Sequence, residues 1–416
     1  MKRKKRFILL GVIGVSLFAA CGKKPRQEQV EQTQTEEAVD FNMVSEQTEY
    51  EGFTQEEIAE KAVSREALFS GYTAALRDTY ENFRLPESVT ISPTAIYKQV
   101  EIVQESGFTE NAEEILRMFL GDELSETMEF SDYSEIRNQA TLVIDSDEEK
   151  MYCAVQDCGF VSVIKPSGYE IGFGGNFEVV DIVHVDRGEP LSQSYALMDG
   201  EESIEEAVTY IEEWMNQNWA VWEPDFTYSV KTVEVRRYGD NYIYDFYVEK
   251  FLDGIPLDDD FGYTGMEMDT YGNLRLKYVG SAIYIRMCNR DSIDVFSSLT
   301  GILRVQSVEK EEDGWLSLSD CTHMLEQLFS EYVVYDISDI EMQYVLCPDY
   351  ASINEEVKHY SYMQPGMRIL AKPVWCFVMD IPEEKLLNED GSFTAGYQKH
   401  YIDVDMRTGE VWLELE

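Results

Sequence analysis

Residues 203–217 read SIEEAVTYIEEWMNQ, and residues 228–250 read YSVKTVEVRRYGDNYIYDFYVEK. In the first stretch Ser203, with Glu206 three residues on, forms a capping box, in which a hydroxyl and a carboxylate satisfy each other's orphan amides. Ile204, Ala207, Val208, Ile211 and Met215 then recur at helical spacing and give one apolar face. The second stretch alternates with the period of a strand on both sides of Gly239-Asp240-Asn241, residues that favour a tight hairpin turn. One apolar helix stripe and one apolar sheet face predict an α+β layer, with the helix laid across an antiparallel sheet. Val233, Val235, Tyr244 and Phe246 are expected to meet Ile204, Ala207, Val208 and Ile211.

Downstream, Phe251-Leu252-Asp253-Gly254-Ile255-Pro256 breaks the run. Residues 265–269 and 273–279 predict a second hairpin around Tyr271-Gly272, and 283–287 extend the sheet. A similar order follows. Leu318, Cys321, Leu325, Leu328 and Tyr332 mark a helix stripe, 339–346 and 368–379 read as strands, and Arg407-Thr408-Gly409 joins a last hairpin of 401–405 and 410–415. Helix, two strands and a closing hairpin, met twice, read as a diverged duplication, with two unrelated α+β units as the alternative. In the second unit Val374, Cys376 and Val378 are expected to meet Leu318, Leu325 and Leu328.

Upstream, Thr54 with Glu57 opens a helix carrying Ile58, Ala62, Phe69, Tyr72, Leu76 and Tyr80, and Pro86 lies beyond its end. Residues 88–103 are rich in β-formers. Thr109 is placed to cap a second helix, with Ala112, Ile115, Leu116 and Phe119 on its face and Gly121 closing it. Strand-like runs follow at 140–145, 151–156, 159–164 and 177–185. The expected organisation is an N-terminal α+β domain over 51–190, a module over 200–290 and a second over 315–416. All are α+β, built from helices on curved antiparallel sheets.

The first residues carry an address. Lys2 to Arg6 are all basic, 7–17 are apolar but too few to span a bilayer comfortably, which takes about 20 residues, and Ala19-Ala20 precede Cys21. Residues 1–20 read as a signal peptide, with an uncleaved anchor or an ordinary signal peptide as alternatives. Leu17-Phe18-Ala19-Ala20-Cys21 resembles the lipobox of bacterial lipoproteins. That resemblance implies a diacylglyceryl thioether on Cys21, with a further chain such as palmitate, anchoring the protein outside the cell membrane. Residues 21–50 are polar and low in complexity and read as an acidic tether.

Removal of residues 1–20 takes five of the 34 basic residues and no acidic ones, leaving 29 against 80. Such a charge repels nucleic acid and anionic lipid headgroups. It does not imply disorder, because 44% of residues are hydrophobic and 12% aromatic. Cys153, Cys158, Cys288, Cys321, Cys347 and Cys376 are scattered. Cys153 could pair with Cys158, or Cys347 with Cys376, and buried free thiols are the alternative. No Cys/His spacing suits zinc, and no cofactor is expected.

No constellation of catalytic residues stands out. His184, His323, His359 and His400 form no metal motif, and Gly172-Phe173-Gly174-Gly175 lacks the helix and lysine of a phosphate loop. Asp258-Asp259-Asp260, near Asp253 and Asp269, could collect calcium or be a solvated acidic loop. Trp214, Trp219 and Trp222, with Tyr228, could form a peptide or sugar platform, or staple a helix onto its sheet. An exposed strand edge could capture an extended peptide.

Asp253-Gly254-Ile255-Pro256 and Asp405-Met406-Arg407-Thr408-Gly409-Glu410-Val411 resemble features of PepSY-type modules and of the YycH/YycI extracytoplasmic regulators of a cell-wall sensor kinase in Firmicutes. Residues 88–103 followed by 108–116 look like uncharacterised clostridial lipoproteins. The resemblance implies protease inhibition or kinase modulation rather than catalysis. The expected function is a non-catalytic surface module for a protein or peptide partner, with a carbohydrate-binding or hydrolytic surface protein as the alternative.

Overall fold

The computed structural model describes residues 53–415 apart from 90, 92–94, 122–123, 125–128, 133–140, 147–149, 172–176, 259–265, 269–273, 277–279, 299, 310–312, 330–333, 350–366, 381–385, 388–392 and 395–398. The opening helical pattern is broken in two. α1 (Gln55–Lys61) begins at the Thr54–Glu57 capping box, and α2 (Arg65–Ala75) begins at a second cap, Ser64, whose side chain accepts from the Ala67 amide. Between them Val63–Ser64 pairs with Trp315 and Asp313, so the chain leaves the helix to make a short β bridge. The end of the β-former-rich stretch 88–103 lies in β1 (Gln99–Gln104). Thr109 does not cap α3 (Ala112–Leu120). It lies in a preceding 3₁₀ turn, and its hydroxyl donates to Asp157 Oδ1 at 3.2 Å.

The chain continues through β2 (Thr141–Ser146), β3 (Met151–Gln156), β4 (Val161–Ile164), α4 (Pro166–Ile171), β5 (Glu178–His184) and the small hairpin β6 (Ser194–Ala196) and β7 (Glu201–Ser203). Then come α5 (Ile204–Gln217), β8 (Thr227–Tyr238), β9 (Asn241–Leu252), β10 (Ile255–Pro256), a hairpin of β11 (Met266–Met268) and β12 (Leu274–Leu276), β13 (Ile283–Met287), β14 (Val295–Ser298) and β15 (Leu303–Glu309). The last part holds α6 (Leu318–Leu328), β16 (Asp339–Pro348), β17 (Arg368–Asp380), a hairpin of β18 (Leu386–Leu387) and β19 (Phe393–Thr394), β20 (Lys399–Asp405) and β21 (Val411–Leu415).

Two antiparallel sheets carry the fold. The larger runs Ser131–Asp132, β2, β3, β4, β14, β13, β9, β8, β5, and the smaller runs β15, β1, β17, β20, β21, with β16 also on β17. Within them the two helix-led stretches have the same order. After α5 the strands β8, β9, β13 and β14 pair in succession, with the β11–β12 hairpin inserted after the second. After α6 the strands β16, β17, β20 and β21 pair in succession, with the β18–β19 hairpin inserted at the same point. The strands of residues 51–190 do not make a separate sheet. β1 joins the smaller sheet and β2 to β5 join the larger.

The expected packing holds for the first stretch. Ile204, Ala207, Val208, Ile211 and Met215 of α5 share one buried core with Val233, Val235, Tyr244 and Phe246. Glu212 ties helix to sheet, accepting from Ser229 Oγ at 2.6 Å and from the Val230 amide at 2.9 Å. In the second stretch the expected strand face is the wrong one. Trp375, Phe377 and Met379 enter the core with Leu318, Cys321 and Leu325, while Val374 joins a small cluster with Val345 on the other face. Both faces of β17 are buried, and residues 374–379 are apolar at both parities, so alternation cannot choose between them. Leu328 is exposed at the helix end, and Tyr332 lies outside the described residues.

The Asp253-Gly254 break is a two-residue turn. Both residues have positive φ, +49° and +83°, as the primed hairpin turns require. It folds β10 back onto β9, with Leu252 opposite Ile255. Leu257 then bridges Tyr344 of β16, and the Asp258 amide donates to the Tyr344 carbonyl at 2.9 Å. This short strand joins the two sheets.

Candidate functional site

α5 stops at Asn218, and the chain turns through Trp219–Val221 into Glu223-Pro224-Asp225 before β8 begins. The four aromatic residues expected to offer a platform lie along this path. Trp219 and Tyr228 are buried, and Trp214 and Trp222 are half-buried. Trp214 packs on Phe119 of α3 at 4.9 Å between ring centroids, Trp219 on Phe296 of β14 at 4.8 Å, and Trp222 edge-on to Phe108 at 6.0 Å. Trp219 and Tyr228 are therefore internal anchors rather than walls of an open platform. Trp and Tyr suit that role because each brings a large apolar body and one polar atom that needs a partner.

That partner is Glu223. Its side chain is fully buried and accepts four hydrogen bonds. Trp219 Nε1 donates at 2.8 Å and Tyr228 OH at 2.5 Å to Oε2, while Lys250 Nζ at 2.7 Å and the Leu303 amide at 2.8 Å donate to Oε1. Lys250 is itself 1% exposed and lies over the Phe226 ring. A carboxylate and an ammonium can share such an interior only when paired and fully hydrogen-bonded. Burial, then the Glu223 charge, pushes the Tyr228 phenol well above its usual value, so it stays a donor. Sequence reading singled out the aromatics and missed Glu223. The usable signal was the pair of acids flanking Pro224, Glu223 and Asp225, set between Trp222 and Phe226.

The same loop closes a strand edge. Leu303 and Val305 belong to β15, at the end of the smaller sheet, and the Val305 amide donates to Asp225 Oδ2 at 2.9 Å. At the end of the larger sheet, β5 shows the same device. The Ile182 amide donates to Asp181 Oδ1 at 3.0 Å and the His184 amide to Glu189 Oε2 at 2.7 Å. Amides answered by carboxylates are withdrawn from an incoming strand, and negative charge at an edge discourages strand addition.

A second buried charge cluster lies on the opposite face of the larger sheet. Arg286 grips Asp245 through two bonds, Nε to Oδ1 at 2.6 Å and Nη2 to Oδ2 at 2.9 Å, and Arg236 Nε approaches Oδ2 at 2.9 Å. Further along that face, Lys231 lies between Glu249 at 3.3 Å and Glu341 of the smaller sheet at 3.7 Å, an ion pair across the junction.

The other expected groups are dispersed. The six cysteines after Cys21 are unbridged thiols. Cys347 stands opposite Leu370 and Cys376 opposite Glu341, so about 20 Å of ladder separates them, beyond disulfide reach. Burial pushes the Cys158 thiol up to about 11 and the Cys347 thiol up to about 12, away from the reactive thiolate. His323 is exposed on α6 and packs against Tyr80. Asp258 is buried at the sheet junction, whereas Asp259, Asp260, Asp269, His359 and residues 172–175 lie outside the described residues. Among the described residues no group of three or more His, Cys, Asp or Glu is arranged to hold a metal ion, and no helix is long and apolar enough to cross a membrane.

No family model matches the chain, and no curated protein matches it. Among solved structures, an uncharacterized protein from Eubacterium rectale superposes with a TM-score of 0.49 at 16% identity, over 77% of this chain and 86% of that one. The C-terminal domain of Bacillus megaterium YpeB superposes with a TM-score of 0.32 at 11% identity, over 75% of this chain and 99% of that one. At these values the likeness assigns neither ligand nor activity to this chain.

Proposed function

We propose that the chain is a lipid-anchored extracytoplasmic protein whose folded body is a non-catalytic regulatory module that holds a protein or peptide partner. The observation that carries the reading is the order of basic residues, short apolar run and Leu17-Phe18-Ala19-Ala20-Cys21. Lipid chains on Cys21 give the anchor, and the polar residues 22–50 give the body reach from the membrane surface. The buried ion pairs serve the fold. Glu223, Lys250, Asp245 and Arg286 are all consumed in pairs that hold the sheets. The excess of acidic over basic residues, 80 against 29 once residues 1–20 are removed, favours a partner with a basic surface, which such a field steers toward contact.

The test is metabolic labelling of the full chain with a fatty-acid analogue in a bacterial host that processes lipoproteins. The wild-type chain takes the label and fractionates with the membrane. Cys21→Ala loses both properties, and label persisting on that variant would overturn the reading.

A further inference from the structure

The β6–β7 hairpin is a two-stranded sheet apart from the two large ones. Its tip sits against the turn that joins β13 to β14. The Met198 amide donates to the Cys288 carbonyl at 3.0 Å, and the Arg290 amide donates to Asp199 Oδ1 at 2.9 Å. The fit is close, because a Cβ added at Gly200 would come within 2.9 Å of Arg290 Nε. β7 is held to β9 by Tyr244, whose hydroxyl donates to the Glu202 carbonyl at 2.7 Å, and it runs directly into Ser203, the cap of α5.

Glu202 lies in this seam. It is 5% exposed, and its Oε2 is buried with no hydrogen-bond partner. The charged and titratable groups around it are mostly acids. The hairpin contributes Asp199, α5 contributes Glu206 and Tyr210, β9 contributes Tyr244, and the facing turn contributes Arg290 and Asp291, while Glu201 and Tyr195 of the hairpin act on Tyr244 and Asp294 of the turn acts on Tyr210. Of these only Arg290 is cationic, and Asp199 already draws on it at 3.8 Å. A buried carboxylate among like charges, lacking a donor for one oxygen, is costly while ionised. Since no carboxylate grouping suited to a metal is present among the described residues, a proton is the simplest way to remove that cost.

We infer that Glu202 is a proton-operated latch: in its neutral form it lets the β6–β7 hairpin seat on the β13–β14 turn, and in its ionised form it loosens that seat. Burial first, then Asp291 and Glu206, pushes the carboxyl up to about 7 from its ordinary 4.5. The docked hairpin therefore keeps a proton that a released hairpin would give up. Docking is strongest below the ordinary value, weakens as pH rises from 4.5 through about 7, and is constant above.

Hydrogen exchange of the full chain in detergent, read over peptides spanning 194–204 and corrected for the intrinsic effect of pH, tests this. Protection of the hairpin should fall about tenfold per pH unit between pH 5 and 7 and then level off, while amides of Phe246 and Val248 in β9 serve as the stable reference. In Glu202→Gln, which cannot titrate, hairpin protection should be independent of pH. A wild-type profile that is flat, or a Glu202→Gln profile with the wild-type slope, would overturn the latch. Should that variant fail to fold, Asp291→Asn removes the largest charged contributor, and Asn tolerates the left-handed backbone found there at φ +51°. The pH at which protection levels off should then move lower, and an unmoved levelling point would equally overturn the proposal.

Discussion

Two glutamates bracket α5. Glu202 stands just before its cap, and Glu223 lies just beyond its last turn. Both are withdrawn from solvent, at 5% and 0% exposure, yet their situations are opposite. Glu223 meets an ammonium, an indole, a phenol and a backbone amide, whereas one oxygen of Glu202 meets no donor. Burial alone therefore does not decide what a carboxylate does to a fold. The donor set decides: with it, the charge locks two sheets together, and without it, the charge is a burden that a proton relieves.

The sharpest way to break this contrast is Glu223→Ala. It leaves Lys250 buried and uncompensated, and strands the Trp219, Tyr228 and Leu303 donors, so a loss of about 3–5 kcal/mol is expected in urea unfolding near neutral pH. A loss under about 1 kcal/mol would mean that water or a shift of Lys250 replaces the carboxylate. The double change Glu223→Gln with Lys250→Met removes both charges together. It should fall within about 2 kcal/mol of wild type, because a buried ion pair is worth little against an apolar replacement of similar volume. If the double variant is as damaged as Glu223→Ala, the damage comes from shape and not from charge.

What was legible in the sequence follows from where periodicity is one-sided. α5 and the β8–β9 hairpin have one apolar face and one polar face, so the core residues Ile211, Val233 and Phe246 could be read directly. β17 is buried on both faces, and there the pattern lost its meaning and misassigned Val374 and Cys376. The break at Ser64 was hidden because Ala62 and Phe69 continue a helical stripe across it, although Ser64 is itself a cap. The site was less legible than the fold. Trp219 and Tyr228 drew attention as aromatics, but whether aromatic residues face solvent or a partner inside depends on distant residues. Phe119, Phe296 and Lys250 come from three different elements. The Glu202 seam joins residues about 90 positions apart (Asp199 with Arg290), which no local pattern records.

The smallest expected effect concerns Ser203, which separates Glu202 from the helix it precedes. Its hydroxyl oxygen accepts from the Glu206 amide at 3.2 Å, and its O–H donates to Glu206 Oε2 at 2.8 Å. Ser203→Ala removes both bonds but keeps the donation from the residue 203 amide to Glu206 Oε2, which spans 3.1 Å in the wild-type chain. A lost cap of this kind costs about 1 kcal/mol. The hydrogen bond from Ser203 holds the Glu206 carboxyl below its usual range, so the stability it lends is present above its ordinary value of 4.5 and disappears only as pH falls through the lowered value. The cap is thus fully formed at both pH 6 and pH 8, and the loss on Ser203→Ala should be the same at the two. Glu202, in contrast, changes charge between them. Urea unfolding of wild type and Ser203→Ala at both values separates the two roles. A loss that grows from pH 6 to pH 8 would show that Ser203 acts through Glu202, by letting the Glu206 charge move against it, and would merge the cap and the latch into one unit.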